Sequence, residues 1–163
     1  MNIGCIEYID AYYGYEEIKP DSNFSAHEAC GYISETDSVY IVEFLQQTQP
    51  QSKRIARGLL IPKGAIGSNS NTSKYSEEYI HALKGKQVVV IWDDITLVEL
   101  TTRRTPSKMK TKGILHAVSA RGLILVEPRT TRECPLPKKQ HIEGDPTFIV
   151  IPKSLITSIR KVV

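Results

Sequence analysis

Two clusters of cationic side chains in the second half of the chain are the residues best suited to chemistry. The first lies in a predicted extended arm and comprises Arg103, Arg104, Lys108, Lys110 and Lys112. The second lies in a long predicted loop and comprises Arg129, Arg132, Lys138 and Lys139. Clustered cations release counterions from phosphate groups and give an affinity that falls as salt rises. The two clusters therefore predict a surface that binds nucleic acid.

Single-stranded nucleic acid also needs aromatic rings on which its bases can stack. Most of the aromatic side chains lie in the other half of the chain: Tyr8, Tyr12, Tyr13, Tyr15, Phe24, Tyr32 and Tyr40. The predicted strands of the basic half contribute Trp92 and Phe148. We therefore expect weak binding that tolerates many nucleotide sequences.

Motifs typical of catalysis are missing from the sequence. It contains no nucleophile elbow, no Walker loop and no recognisable pair of carboxylates, which predicts a protein that is not an enzyme. The cysteines Cys5, Cys30 and Cys134 form no C-x-x-C pair, and the four histidines have no metal-ligand spacing. We expect free thiols, no metal site and no cofactor.

An internal repeat organises the chain. Residues 31–43 and 61–66 recur as residues 113–127 and 151–156, and both copies contain the triplet Ile-Pro-Lys. Apolar stretches begin at Ile6 and at Val88, at the same distance before the glycine that opens each copy. A duplication of this kind predicts two copies of one small β unit.

Turn and linker residues divide the chain into its predicted parts. The first unit covers residues 1–66, a linker rich in Ser and Asn covers 67–73, and the second unit covers 74–163. A short helix is predicted over 74–84, with Ser76 as its N-cap and Gly85 after its end. The other elements are short strands joined by turns.

The pattern of the second unit resembles the Sm-like family, which includes the bacterial RNA chaperone Hfq. The resemblance rests on the helix and strand at 83–90, the glycine-led strand at 112–115, the strand at 123–127 and the Lys-containing turn within 148–159. It implies two tandem five-stranded barrels with one short helix before the second. It also implies RNA binding and places Lys63 and Lys153 at equivalent turns on one face of an assembly. A pair of SH3-like barrels fits nearly the same pattern.

Charge is divided unevenly between the two units. Residues 1–73 carry five Lys and Arg against nine Asp and Glu, whereas residues 74–163 carry sixteen against nine. Opposite charge predicts RNA or single-stranded nucleic acid as a partner for the basic half, and a homo-oligomer assembled through strand edges. The alternatives are a protein-interaction or inhibitory module and a protein that sequesters a small ligand. No membrane span or secretory signal is recognisable, so we expect a cytoplasmic protein.

Overall fold

The computed structural model describes residues 2–44, 57–66, 75–99, 105–134, 138–139 and 145–163. Its strands are β1 (Asn2–Asp10), β2 (Tyr12–Gly14), β3 (Ser25–Glu35), β4 (Val39–Glu43), β5 (Arg57–Pro62), β6 (Gln87–Asp93), β7 (Thr96–Glu99), β8 (Lys108–Val118), β9 (Gly122–Cys134), β10 (Lys138–Lys139), β11 (Phe148–Pro152) and β12 (Ile156–Lys161). The helix α1 is Glu77–Ala82, and two 3-10 helices are Lys63–Ala65 and Lys153–Leu155. The mainly β class predicted from the sequence is confirmed.

The strands form two antiparallel sheets. The five-stranded sheet has the order β1-β3-β4-β5-β7. The seven-stranded sheet has the order β12-β6-β8-β9-β11-β2, with β10 paired to β9. In the described residues neither sheet closes on itself, so the two tandem barrels predicted from the sequence are not confirmed. The predicted linker at 67–73 lies outside the described residues, and the division into 1–66 and 74–163 stays a prediction.

Each half of the chain contributes one strand to the sheet of the other half. Strand β2 pairs with β11, where Tyr13 lies opposite Ile149, and β7 pairs with β5, where Leu97 lies opposite Leu59. These two strands follow β1 and β6 directly along the chain. We refer to β2 and β7 as the exchanged arms, because each leaves its own half and covers a strand edge of the other.

The repeated Ile-Pro-Lys triplets occupy equivalent turns. In both, the proline ends a strand, the lysine begins a 3-10 helix and an isoleucine resumes extended backbone. The Lys63 N–H donates to the Ser38 carbonyl at 2.9 Å, and the Lys153 N–H donates to the Arg121 carbonyl at 2.8 Å. The two turns also lie against each other, because Gly64 faces the carbonyl oxygen of Ser154.

Apolar side chains from both sheets share one main core. Val42 and Ile61 of the first half are buried in the same cluster as Trp92, Leu125 and Ile151 of the second. A smaller cluster joins β4, β5 and β7 and consists of Val39, Ile41, Leu60 and Val98. Since β7 belongs to the second half of the chain, its Val98 ties the two halves together a second time.

Helix α1 is confirmed in the predicted region and is shorter than expected. The Ser76 hydroxyl accepts a hydrogen bond from the Tyr79 N–H at 3.2 Å, and Gly85 adopts φ 82° after the helix. The hydroxyl of Tyr79 donates to the Ile159 carbonyl at 3.2 Å, which fastens the helix to β12. None of the helices in the described ranges is both long enough and apolar enough to cross a membrane.

Two of the three cysteines are not free thiols, contrary to the expectation from their spacing. Cys5 of β1 lies directly opposite Cys30 of β3, and the two form a disulfide. Cys134 is free and exposed. Their spacing of 25 residues did not indicate a disulfide, because the pairing depends on the register of two strands that are separated along the chain.

Candidate nucleic-acid interface

Strand β8 carries three lysines on one face. Lys108, Lys110 and Lys112 alternate along the strand with the buried residues Met109 and Thr111. Successive side chains of a strand point to opposite sides of its sheet, so the lysines lie on the outer side. Strand alternation therefore brings together three of the five cations predicted in the arm.

Neighbouring strands extend this cationic surface sideways. Lys112 lies directly opposite Arg129 of β9 on one side and Val89 of β6 on the other. Val89 lies opposite Arg160 of β12. Because directly opposite residues of antiparallel strands share a face, Arg160, Lys112 and Arg129 form a row across four strands. We refer to the following residues as the basic face: Lys108, Lys110, Lys112, Arg129 and Arg160.

Carboxylates compensate only part of the basic face. The Nζ atom of Lys108 lies 3.1 Å from Asp93 Oδ1, and that of Lys110 lies 3.9 Å from Glu133 Oε1. Within the described residues, the three members of the row form no salt bridge, and all three are exposed: Lys112, Arg129 and Arg160. The row therefore presents uncompensated positive charge to solvent.

Direct opposition of like charges is unfavourable for the sheet. A cation facing another cation across two antiparallel strands costs up to about 1 kcal/mol. Lys112 and Arg129 are arranged in this way in the isolated chain. A bound anion would offset this repulsion, which makes the pair a stronger indication of binding than scattered surface lysines.

A buried polar network beneath the basic face fixes the register of its strands. The Trp92 Nε1–H donates to Thr111 Oγ1 at 2.9 Å, and the hydroxyls of Thr111 and Thr130 are also 2.9 Å apart. Buried polar groups are nearly always hydrogen-bonded, because an unpaired group loses the bonds it made to water. Three adjacent strands are thereby linked by side chains that sit on the core side of the cations.

The structure separates the two repeated lysines from the basic face. Lys153 is 1% exposed and its Nζ lies 2.6 Å from Glu77 Oε1 of α1. Lys63 lies 2.8 Å from Glu35 Oε2, and its Nζ is 5.2 Å from the centre of the Tyr40 ring. Buried and paired, Lys153 is closed to a phosphate, which corrects its place among the predicted binding residues. Its salt bridge with Glu77 instead attaches helix α1 to the turn that contains Lys153.

The other predicted cations have different positions. Arg132 lies opposite the buried Met109, so it projects from the side of the hairpin opposite to Arg129. Lys138 and Lys139 form β10 and pair with Arg132 and Thr131, which extends the sheet beyond β9. Arg103 and Arg104 lie outside the described residues.

Arg160 was not predicted from the sequence. The signal was present, since the exposed Arg160 follows the buried Ile159 in β12, as strand alternation requires. In the sequence Arg160 lies near the end of the chain, with Lys161 as its neighbour and far from both predicted charge clusters. Only the pairing of β12 with β6 brings it into the row with Lys112.

Two carboxyl groups that precede the exchanged arms were also not predicted from the sequence. Asp10 ends β1 and its Oδ1 accepts the Ala11 N–H at 2.8 Å, while Asp94 follows β6 and its N–H donates to the Ser107 carbonyl at 2.9 Å. Burial raises the pKa of Asp10 to about 6. Burial, with the nearby charge of Asp10, raises the pKa of Asp94 to about 7. The two groups are far apart in sequence, so no motif could reveal them.

Comparisons with known proteins assign neither a family nor a function to the chain. No family model matches the chain, and neither a curated protein nor a solved structure is similar to it. The candidate interface is therefore defined by the position and charge of its own side chains. Its cations lie along one face of the seven-stranded sheet, which suits an extended polyanion better than a compact ligand.

Proposed function

We propose that this chain is a non-enzymatic, nucleic-acid-associated protein that binds single-stranded RNA through the basic face. The observation that carries the proposal is the row of Arg160, Lys112 and Arg129, in which two cations oppose each other without a carboxylate partner in the described residues. Phosphate groups supply the anions that such a row lacks. The cytoplasmic location expected from the sequence would give access to RNA.

The surroundings of the row favour contact with the RNA backbone. The positions between the cations on β6 are aliphatic, namely Val89 and Ile91. Phosphate contacts position a nucleic acid without reading its sequence, whereas base recognition needs stacking faces or polar groups aimed at base edges. Binding should therefore be weak and tolerant of sequence.

We also propose that each half is an SH3-like or Sm-like unit whose arm has moved to the other half. The equal strand orders β1-β3-β4-β5 and β6-β8-β9-β11 support this relation. Strand β12 returns to pair with β6, and Ile66 of the first half makes the corresponding single bridge to Tyr8 of β1. The shared Ile-Pro-Lys turns support the same relation.

The experiment that tests RNA binding is a titration of a labelled single-stranded RNA at several salt concentrations. Three neutralised phosphates should give a log-log slope of about −2, since each contributes about −0.7 for single strands. Polyglutamate of matched length serves as competitor, because it carries negative charge without phosphates. RNA bound no better than polyglutamate would favour the alternative, a protein-interaction module with an acidic partner.

Self-association through strand edges remains a proposal, and strand β1 supplies its candidate edge. The exchanged arms cover the edges of β5 and β11, so these edges cannot recruit another copy. In the described residues, the stretch of β1 before Tyr8 has no partner on its second side, and its Ile3 is 66% exposed. We propose that this edge pairs two copies, because unpaired backbone groups invite another strand.

This proposal predicts that wild-type protein forms dimers in light scattering and that Ile3→Lys is monomeric. A lysine on an edge strand opposes pairing because its charge would be buried between the copies. Leu97→Lys, at a residue 64% exposed on the arm β7, is the matched control and should leave the dimer intact. A wild-type protein that stays monomeric at high concentration would exclude the β1 edge as an interface.

A further inference from the structure

The outer face of β1 and β3 gathers two sulfur atoms and a carboxylate. Cys5 and Cys30 are directly opposite each other and exposed, with their Cα atoms 4.1 Å apart. Glu28 precedes Cys30 by two positions in β3, so both side chains are on the same side of the sheet. The Oε1 atom of Glu28 lies 3.4 Å from Cys30 Sγ. One ligand atom from each of the three residues lies within 4.8 Å of the others.

A second carboxylate borders this group. Glu7 follows Cys5 by two positions and lies directly opposite Glu28. Two glutamates facing each other across a strand pair repel, which is unfavourable for the sheet. In the described part of the chain neither Glu7 nor Glu28 forms a salt bridge. A cation at this position would offset the repulsion.

We propose that the reduced chain binds a thiophilic divalent cation of the Zn²⁺ type through Cys5, Cys30 and Glu28, with Glu7 as the fourth donor. Thiolate and carboxylate are both ordinary zinc ligands, and four of them satisfy its tetrahedral preference. Thiol protons are released to solvent as the metal binds. This site is separate from the basic face and its proposed RNA.

The disulfide makes this site dependent on redox state. While the Sγ–Sγ bond is intact, no thiolate is present and the cation has only carboxylates. A dithiol can break the bond by transferring two electrons, becoming a disulfide itself, and the two cysteine sulfurs take up two protons. Because both cysteines are exposed, a soluble dithiol can reach them. The metal site and the disulfide are thus two alternative states of one residue pair.

The test is a titration with Co²⁺ after reduction by a phosphine, which takes up oxygen from water and leaves two thiols. One equivalent of Co²⁺ should produce thiolate-to-cobalt absorption and the visible bands of a tetrahedral site, and Zn²⁺ should displace it. Oxidised protein should show neither signal. Reduced wild-type protein without thiolate-to-cobalt absorption would overturn the proposal.

Variants locate the site on this face. Cys5→Ser should abolish the thiolate absorption of the tetrahedral site, and Glu28→Gln should weaken Co²⁺ binding by about tenfold or more. Cys134→Ser and Glu43→Gln are the matched controls and should bind as the wild type does. Loss of binding in Cys134→Ser, or unchanged binding in Cys5→Ser, would assign the metal to another place. All of these residues are at least partly exposed, so circular dichroism should show an unchanged fold.

Discussion

Replacing Gly64 by alanine is expected to destabilise the protein by about 3 kcal/mol, the upper part of the range for overpacking a close contact. A Cβ atom at this position would overlap the carbonyl oxygen of Ser154. That oxygen belongs to the backbone of the other Ile-Pro-Lys turn and cannot rotate away. In urea unfolding followed by circular dichroism, Gly64→Ala should have a lower midpoint concentration than the wild type.

Gly4→Ala is the matched control for this prediction. A Cβ atom there would lie 3.2 Å from Ile33 Cδ1, the flexible end of a side chain that can shift. We expect the free energy of unfolding of Gly4→Ala to lie within about 0.5 kcal/mol of the wild-type value, as for ordinary surface substitutions. Equal stability of Gly64→Ala and wild type would mean that the two turns do not touch, and the relation between the halves would have to be revised.

Asp94→Asn is expected to stabilise the protein at pH 8 and to remove much of its pH dependence. The pKa of Asp94 is raised from 3.8 to about 7, so the folded chain favours the neutral carboxyl. The stability associated with the neutral form is fully present below the unfolded pKa and is lost as pH rises through about 7. A pKa shift of this size corresponds to on the order of 4 kcal/mol of folding stability.

Thermal unfolding measured between pH 4 and pH 8 tests this effect. The stability of the wild type should fall from pH 4 to pH 8. The stability of Asp94→Asn should stay nearly constant, apart from a smaller decrease caused by Asp10, whose pKa is about 6. Asp93→Asn removes a charge at the adjacent residue, which pairs with Lys108 at the surface, and should keep the wild-type slope. Parallel curves for Asp94→Asn and wild type would show that folding does not raise the pKa of Asp94.

Local features of this fold were predictable because they depend on neighbouring residues. The N-cap of α1 follows from Ser76 placed before Glu77 and Glu78, and Gly85 follows from the need for positive φ after the helix. The Ile-Pro-Lys turns were visible as a repeat because one local conformation uses one local sequence. The three lysines of β8 were predicted as part of a charge cluster because they lie close together in the sequence.

Features that depend on distant pairing could not be predicted in the same way. Nothing in Tyr12–Gly14 or Thr96–Glu99 indicates which strand edge the segment will cover, so the exchanged arms were not foreseen. The Cys5–Cys30 disulfide, the closeness of Asp10 and Asp94, and the position of Arg160 all depend on strand register. Lys153 was expected on the surface because lysine usually is, and burial became possible only through its pairing with Glu77.

The most direct test of RNA binding compares two triple variants that lose the same charge. Lys112→Ala/Arg129→Ala/Arg160→Ala removes the row, whereas Lys84→Ala/Lys86→Ala/Lys161→Ala removes three exposed lysines elsewhere in the same half. Single-stranded RNA binding is measured as a function of salt for both variants and the wild type. The row variant should bind weakly, with a log-log slope reduced by about 2, and the control should keep the wild-type slope. Equal slopes for the two variants would contradict RNA binding at the basic face.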